Sequence, residues 1–167
     1  MKHLLLLPAC ILLAVCVAAP AGAQDLKKLS LDDASAIGLK LRSDSATKVE
    51  GAASLRIETP WPTSVCVGEV SGLAVEAAQL IFRARVRTEL EGDAFLEMWV
   101  HVAGGQYFSR GLNQTVKGKS DWKAIQTPFV FKEGQRPDKV TLNIVVNGKG
   151  TVWVDDVVLT KAPLSTR

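Results

Sequence analysis

From Ser54 onward the chain alternates apolar and polar positions with a period of two. Ser54-Leu55-Arg56-Ile57-Glu58 is the first such run, and Pro60-Trp61-Pro62 stops it. In residues 80–88, Phe82, Ala84, Val86 and Thr88 share one side, while Arg83, Arg85 and Arg87 share the other. Residues 95–103 alternate again. Residues 122–131 are strand-like around Pro128, which predicts an edge strand or a bent one because proline has no N–H to give to a ladder. Residues 139–146 place Val140, Leu142, Ile144 and Val146 on one face, and 151–161 form the last run. Glu91-Gly92-Asp93 and Asn147-Gly148-Lys149-Gly150 predict turns between these runs. Strict alternation with β-branched enrichment predicts half-buried strands, and the spacing of the turn signals predicts a sandwich or barrel. Residues 72–81 are the one arguable short helix or turn after Gly51, so α/β folds with crossover helices are excluded. No internal repeat is visible.

The first residues have a different character. Met1-Lys2-His3 precedes an apolar run over 4–19 and then Pro20-Ala21-Gly22-Ala23. A short positive start, an apolar centre and a small-residue ending predict a secretory signal over 1–23, cleaved after Ala23. The run contains Pro8 and is shorter than the roughly 20 residues of a spanning helix, so a cleaved signal is favoured over a retained anchor. Leu7-Pro8-Ala9-Cys10 and Leu13-Ala14-Val15-Cys16 are poor lipidation signals, the first because of Pro8 and the short charged start, the second because of the bulky Val15. The expected address is the periplasm or the outside of the cell. The mature chain is one domain's worth of residues. Its 24–50 segment is mixed and polar, with a capped turn at 30–34 and one short strand near 37–42, and packs on a sandwich formed by 51–163.

Composition narrows the partners. The formal net charge is +3, and the signal removes only Lys2 from it. So small and evenly spread a charge excludes nucleic acid or an acidic membrane surface as a partner, and no membrane span remains once the signal is gone. Of three cysteines, Cys10 and Cys16 leave with the signal, so no internal disulfide can form. Cys66, between Val65 and Val67, reads as a buried strand residue; the alternative is a free thiol or an intermolecular pair.

The segment Gly150-Thr151-Val152-Trp153-Val154-Asp155-Asp156-Val157-Val158-Leu159 resembles the closing strand of carbohydrate-binding-module-like jelly rolls of the galactose-binding-like type. Gly51-Ala52-Ala53-Ser54-Leu55-Arg56-Ile57 is similar to their early strand, and Trp122 with the extended stretch after it resembles a mid-domain strand. The block from Trp99-Val100-His101 through Tyr107-Phe108-Ser109-Arg110-Gly111-Leu112 is similar to exported bacterial proteins of this general shape. The resemblance spans roughly residues 28–163. It implies an all-β fold, a jelly-roll-type sandwich of two antiparallel sheets, and a non-catalytic carbohydrate-binding role. It also implies a structural calcium, with Asp155 as a ligand beside backbone carbonyls of the 24–50 segment. Neighbouring Asp155 and Asp156 would point to opposite faces of a regular strand. The alternative to a cation is that one of them hydrogen-bonds a neighbouring loop while the other faces water.

Alternation also selects candidate binding residues. Leu96, Met98, Val100 and Val102 should face the core, leaving Phe95, Glu97, Trp99 and His101 on the other side. A Trp and a His on a non-core face suit stacking on sugars. Arg83 and Arg85 are expected on the same face of a neighbouring strand, to pair with Glu97 or bind ligand, and Asn143 would add a bidentate amide. The alternative is that Trp99 packs under a 104–121 loop and Glu97 simply neutralises the arginines. Residues 104–110 read as a flexible loop carrying Tyr107, Phe108 and Arg110, either at a binding rim or folded back on the sheet. Trp153 is expected to pack internally.

Catalysis finds little support. The mature chain holds one histidine, His101, and lacks G-x-S-x-G, H-E-x-x-H, a Walker loop or Cys/His metal spacing. A paired-acid glycosidase built from Glu97 with Asp155 or Asp156 would need those carboxylates to face one another. The expected function is a non-catalytic carbohydrate-binding-like module of an exported protein, with a glycan as partner. The alternative is a structural or protein-interaction domain of the cell envelope, bound to an envelope protein. A hydrolase is the weakest reading.

Overall fold

A computed structural model describes residues 22–31, 34–36, 39 and 41–164. Residues 1–21 of the expected signal lie outside this range, as do Asp32 and Asp33 of the expected turn and Ile37, Gly38 and Lys40 of the expected short strand. The described chain forms β1 (Gln24–Lys28), β2 (Leu41–Asp44), β3 (Ser54–Thr59), β4 (Thr63–Ser71), β5 (Ala78–Val102), β6 (Gly105–Arg110), β7 (Val116–Phe131) and β8 (Lys139–Pro163). The only helical piece among the described residues is a single 3-10 turn, Leu112–Gln114. Among the described residues no helix is long and apolar enough to cross a membrane.

The frame is the β5–β8 pair. These two strands run antiparallel along their whole length, from Ala78 opposite Pro163 to His101 opposite Lys139. A flat 25-residue strand would be about 80 Å long. The pair instead folds over itself, since Leu80 and Phe82 from one end of β5 share a single buried cluster with Leu96, Met98 and Val100 from the other. The result is an antiparallel jelly-roll sandwich with two layers. The front layer runs β4–β8–β5–β6, using the first part of β8 and the last part of β5. The back layer runs β2–β3–β8–β5–β7, with β1 beside β8 further along.

The two expected turns, at 91–93 and 147–150, are corrected by this frame. Both lie inside continuous strands, directly across from one another: Glu91 opposes Lys149, Gly92 opposes Gly148 and Leu90 opposes Gly150. The glycines are needed where the two backbones close up at the fold. Gly92 has φ 139° and Gly148 φ 152°. A Cβ on either would stand 2.0 Å from a carbonyl oxygen of the partner strand.

A second irregularity sits in β8. Arg83 opposes Val158 while Arg85 opposes Asp155, so Ala84 faces two residues, Asp156 and Val157. This bulge, with Asp156 at φ 49°, shifts the buried positions from Val152 and Val154 to Val157 and Leu159. The regular alternation expected for Asp155 and Asp156 therefore does not hold.

Three further expectations resolve. Residues 104–110 are not a loop: Ala103 (φ 48°) and Gly104 (φ 78°) make a two-residue turn with both centres left-handed, the geometry that suits a tight hairpin, and β6 returns beside β5. The 72–81 stretch holds no helix, and β5 begins at Ala78. β7 does pair with β5 alone, so Pro128 stands on an edge strand as its missing N–H requires.

Candidate functional site

The outward face of the front layer collects most of the candidate residues. Directly opposed residues of antiparallel neighbours share a face, and the registers give three rows across it. One row is Thr141, Trp99 and Phe108; the next is Asn143, Glu97 and Arg110; the third is Lys139, His101 and Gln106. Leu96, Met98, Val100 and Val102 point the other way and are buried, as alternation predicts.

The aromatic pair is braced by an ion pair. Phe108 is 54% exposed, with its ring centroid 5.3 Å from that of Trp99 at a 50° tilt. The Arg110 guanidinium lies 4.9 Å above the Phe108 ring and donates from Nε to Glu97 at 2.5 Å. Trp99 Nε1 donates to the other oxygen of the same carboxylate at 2.7 Å. Glu97 is only 5% exposed, and the two donors are what make its burial tolerable. It thus fixes both the indole and the guanidinium that hold Phe108.

The rest of the face is polar. Asn143 is 8% exposed, and its side-chain amide makes no hydrogen bond among the described residues. Its amide atoms stay open to solvent and so to an outside partner. Glu69 on β4 accepts from Thr141 Oγ1 at 2.8 Å and Lys139 Nζ at 3.1 Å. The Thr141 hydroxyl, then the Lys139 ammonium, hold its carboxyl below the usual range. Gln106 Nε2 lies 3.4 Å from His101 Nε2. Cys66, on the same side of β4, donates weakly to the Gly68 carbonyl, and burial pushes its thiol up. It is a neutral strand residue.

The front face therefore joins Trp99, His101, Arg110 and Asn143, and leaves the other candidates elsewhere. Tyr107 opposes Val100 and so takes the inward side of β6, where its ring lies 6.5 Å from Phe129 at the open edge of the sandwich. Arg83 and Arg85 keep the face that alternation gave them on β5. The fold at Gly92, however, carries that part of the strand into the back layer, opposite Val158 and Asp155. Neither pairs with Glu97, whose partners are Arg110 and Trp99. Sequence reading missed the role of Phe108. An Ala-Gly pair as a tight hairpin turn would have placed it beside Trp99.

Asp155 has a different use. Its Oδ2 accepts from the Val49 and Glu50 amides at 2.7 and 3.2 Å, and its Oδ1 from the Asp156 amide at 2.7 Å. Three N–H groups aimed at the carboxylate do not fit a cation there. Among the described residues no group of three or more His, Cys, Asp or Glu is placed to hold a metal. The arrangement matches the alternative in which the aspartate ties down a loop.

The back layer carries a linked cluster of its own, Asp44, Arg56, Trp153, Arg87 and Asp121, one from each of β2, β3, β8, β5 and β7. Trp153 is 6% exposed, but it lies on the outward side of this layer and not in the inter-sheet core where it was expected to pack; Arg56 and Arg87 cover it, 5.5 and 5.6 Å from its ring. Its Nε1 donates to Asp44 Oδ2 at 2.9 Å, and Asp44 Oδ1 accepts from the Thr47 amide. The indole first, then that amide, hold the Asp44 carboxyl below the ordinary carboxylate range. A carboxyl lowered on folding stabilises above its unfolded pKa and loses that contribution as pH falls through its folded one. The gap in melting temperature between the protein and Asp44→Asn should therefore be widest at neutral pH and close below about pH 4. A gap that stays constant down to pH 2 would remove the ionised carboxylate from the account.

No family model matches the chain, and no curated protein matches it. Solved structures do. It is similar to the CBM22-1 xylan-binding domain from Paenibacillus barcinonensis Xyn10C, with 14% identity over 89% of this chain and 100% of that one and a TM-score of 0.57. It is also similar to the C-terminal family 22 carbohydrate binding module of Clostridium thermocellum Xyn10B, with 11% identity, 86% and 97% coverage and a TM-score of 0.58. A third is a family 16 carbohydrate binding module, with 9% identity, 74% and 86% coverage and a TM-score of 0.54. At such identities the likeness is one of fold.

Proposed function

We propose that this chain is a non-catalytic carbohydrate-binding module of an exported protein, and that it binds glycan through the front face. The carrying observation is the Phe108 ring, more than half exposed yet held by Trp99 on one side and the Arg110–Glu97 pair on another. An apolar ring fixed on a rigid sheet stacks against the C–H face of a pyranose at little entropic cost. The free Asn143 amide, Thr141, Gln106 and His101 lie in the same three rows, within reach of the hydroxyls around such a stacked ring. The signal-like 1–23 segment supports export, and the fold likeness to modules from xylanases supports the class of ligand.

Affinity electrophoresis through soluble xylan and β-1,4-galactan tests the reading. The protein should be retarded by at least one of them without hydrolysing it. Phe108→Ala should cost about 1–2 kcal/mol of binding at this face, a roughly five- to thirtyfold loss, while Phe108→Tyr keeps most of it. No retardation by any polysaccharide would end the proposal. Retention unchanged in Phe108→Ala would move the site elsewhere.

A further inference from the structure

The front-face site leaves unused the two arginines that the fold at Gly92 carries into the back layer. Phe82, Ala84, Val86 and Thr88 are fully buried, so Arg83, Arg85 and Arg87, which alternate with them, rise from the outer surface of β5. Here β5 is paired on both sides, with β7 and with β8, and the platform beneath the arginines is rigid. Arg87 is satisfied within the protein. Its guanidinium meets Asp121 at 3.4 Å and Glu89 at 3.9 Å, and lies 5.6 Å from the Trp153 ring. Arg83 and Arg85 have no such partners: among the described residues neither makes a hydrogen bond, an ion pair or a ring contact, although Arg83 is half-buried. The register accounts for this. Arg83 stands opposite Gln126 and Val158, and Arg85 opposite Ala124 and Asp155. Asp155 is the one acid in these pairs, and the amides of Val49, Glu50 and Asp156 already occupy both its oxygens. Glu50 and Asp156 in turn pair with Lys28.

We propose that Arg83 and Arg85 form a second binding site, for a glycan that carries carboxylate groups, on the opposite side of the sandwich from Phe108. The charge of the occupant follows from two guanidiniums that no internal anion engages. Each presents a planar fork that takes a carboxylate through two parallel hydrogen bonds. Two residues apart on one strand, they stand about 7 Å from each other, so a single chain can meet both. Two such cations are too few for a phosphate polymer or an anionic membrane, which are held by many cations together. The neighbours on β7 suit a sugar. Gln126, exposed and opposite Arg83, has an amide that both donates to and accepts from hydroxyls. Ala124, exposed and opposite Arg85, is too small to obstruct a ring lying across β5 and β7.

That the occupant is a sugar rests on the glycan-binding reading; that it is an anion rests on the two arginines. Isothermal titration of the full chain separates the two, with trigalacturonate as the acidic probe and xylohexaose and β-1,4-galactotriose as the neutral ones. Arg83→Gln with Arg85→Gln should weaken trigalacturonate binding about tenfold or more and leave the neutral probes unchanged. Phe108→Ala should do the reverse. Binding of the acid should also fall as salt rises to about 1 M. Lys132→Gln with Lys149→Gln removes the same charge at two exposed lysines elsewhere and should leave trigalacturonate bound. Absence of trigalacturonate binding, or a loss shared equally by the lysine pair, overturns the second site. Trigalacturonate binding that Phe108→Ala removes and the arginine pair leaves intact overturns it as well, by placing the acid on the front face. Trigalacturonate binding lost with the arginines, in a protein that takes up no neutral glycan, keeps this site and overturns the front-face reading instead.

Discussion

Gly148→Ala should remove a large part of the protein's stability. The new Cβ would sit 2.0 Å from the Glu91 carbonyl oxygen and 2.9 Å from its carbon, both backbone atoms of the facing strand, at a residue whose φ is 152°. Neither strand can yield alone, because β5 and β8 are hydrogen-bonded to each other on both sides of the fold. A cost of about 4 kcal/mol or more stands at the top of what single substitutions do, against a total of roughly 5–15 kcal/mol for a domain. Gly92→Ala should behave alike from the other strand, where its Cβ meets the Asn147 carbonyl oxygen at 2.0 Å. Gly134→Ala is the control. That glycine also has a positive φ, 76°, but nothing lies within 4 Å of its Cβ position, so only the left-handed penalty of about 1–2 kcal/mol remains. Urea denaturation of the three variants reads the difference directly. Equal midpoints for Gly148→Ala and Gly134→Ala would mean that the fold of the long strand pair opens without cost.

That comparison also explains what the sequence could and could not reveal. Burial was legible wherever a strand alternates without interruption: the predicted inward sets at 82–86, at 96–102 and at 140–146 are all buried. Glycine-rich pieces were not. Gly92, Gly148 and Gly150 have the composition of turns, and the same freedom from a Cβ serves a close crossing of two strands. Which use applies is decided by the partner strand, which a single-chain pattern does not contain. The error then propagated. With a turn assumed at Gly92, Arg83 and Arg85 seemed to belong to a neighbour of the Trp99 strand; in fact they share its strand and end up in the other layer.

The front face shows the same limit at a finer scale. Trp99, His101, Arg110 and Asn143 were all identifiable by residue type and parity. Their grouping depends on the Ala103-Gly104 turn, because a two-residue hairpin fixes which side of β6 each residue takes. It sends Phe108 and Arg110 to the Trp99 side and Tyr107 to the core side. A flexible loop would have left all three free.

Asp155→Asn should destabilise the protein by about 3 kcal/mol, the second-largest effect expected here. The carboxylate is buried and accepts three backbone amides, two from the loop at 49–50 and one from the bulge. An asparagine has one oxygen to offer. Whichever way its amide turns, an NH₂ faces at least one N–H that has lost its acceptor in a place water reaches poorly. The loss should be local before it is global, because this side chain is the acceptor for the Val49 and Glu50 amides of the loop. Hydrogen exchange at the Val49 and Glu50 amides should accelerate well before exchange in β5 and β8 does. The same geometry predicts that calcium and a chelator give equal melting temperatures, since a cation approaching this carboxylate meets N–H groups already pointing at both oxygens. A melting temperature raised by calcium in the unaltered protein, and unresponsive in Asp155→Asn, would instead make the aspartate a metal ligand. In that case the loop would be held by the ion, and not by the hydrogen bonds that now tie it to β8.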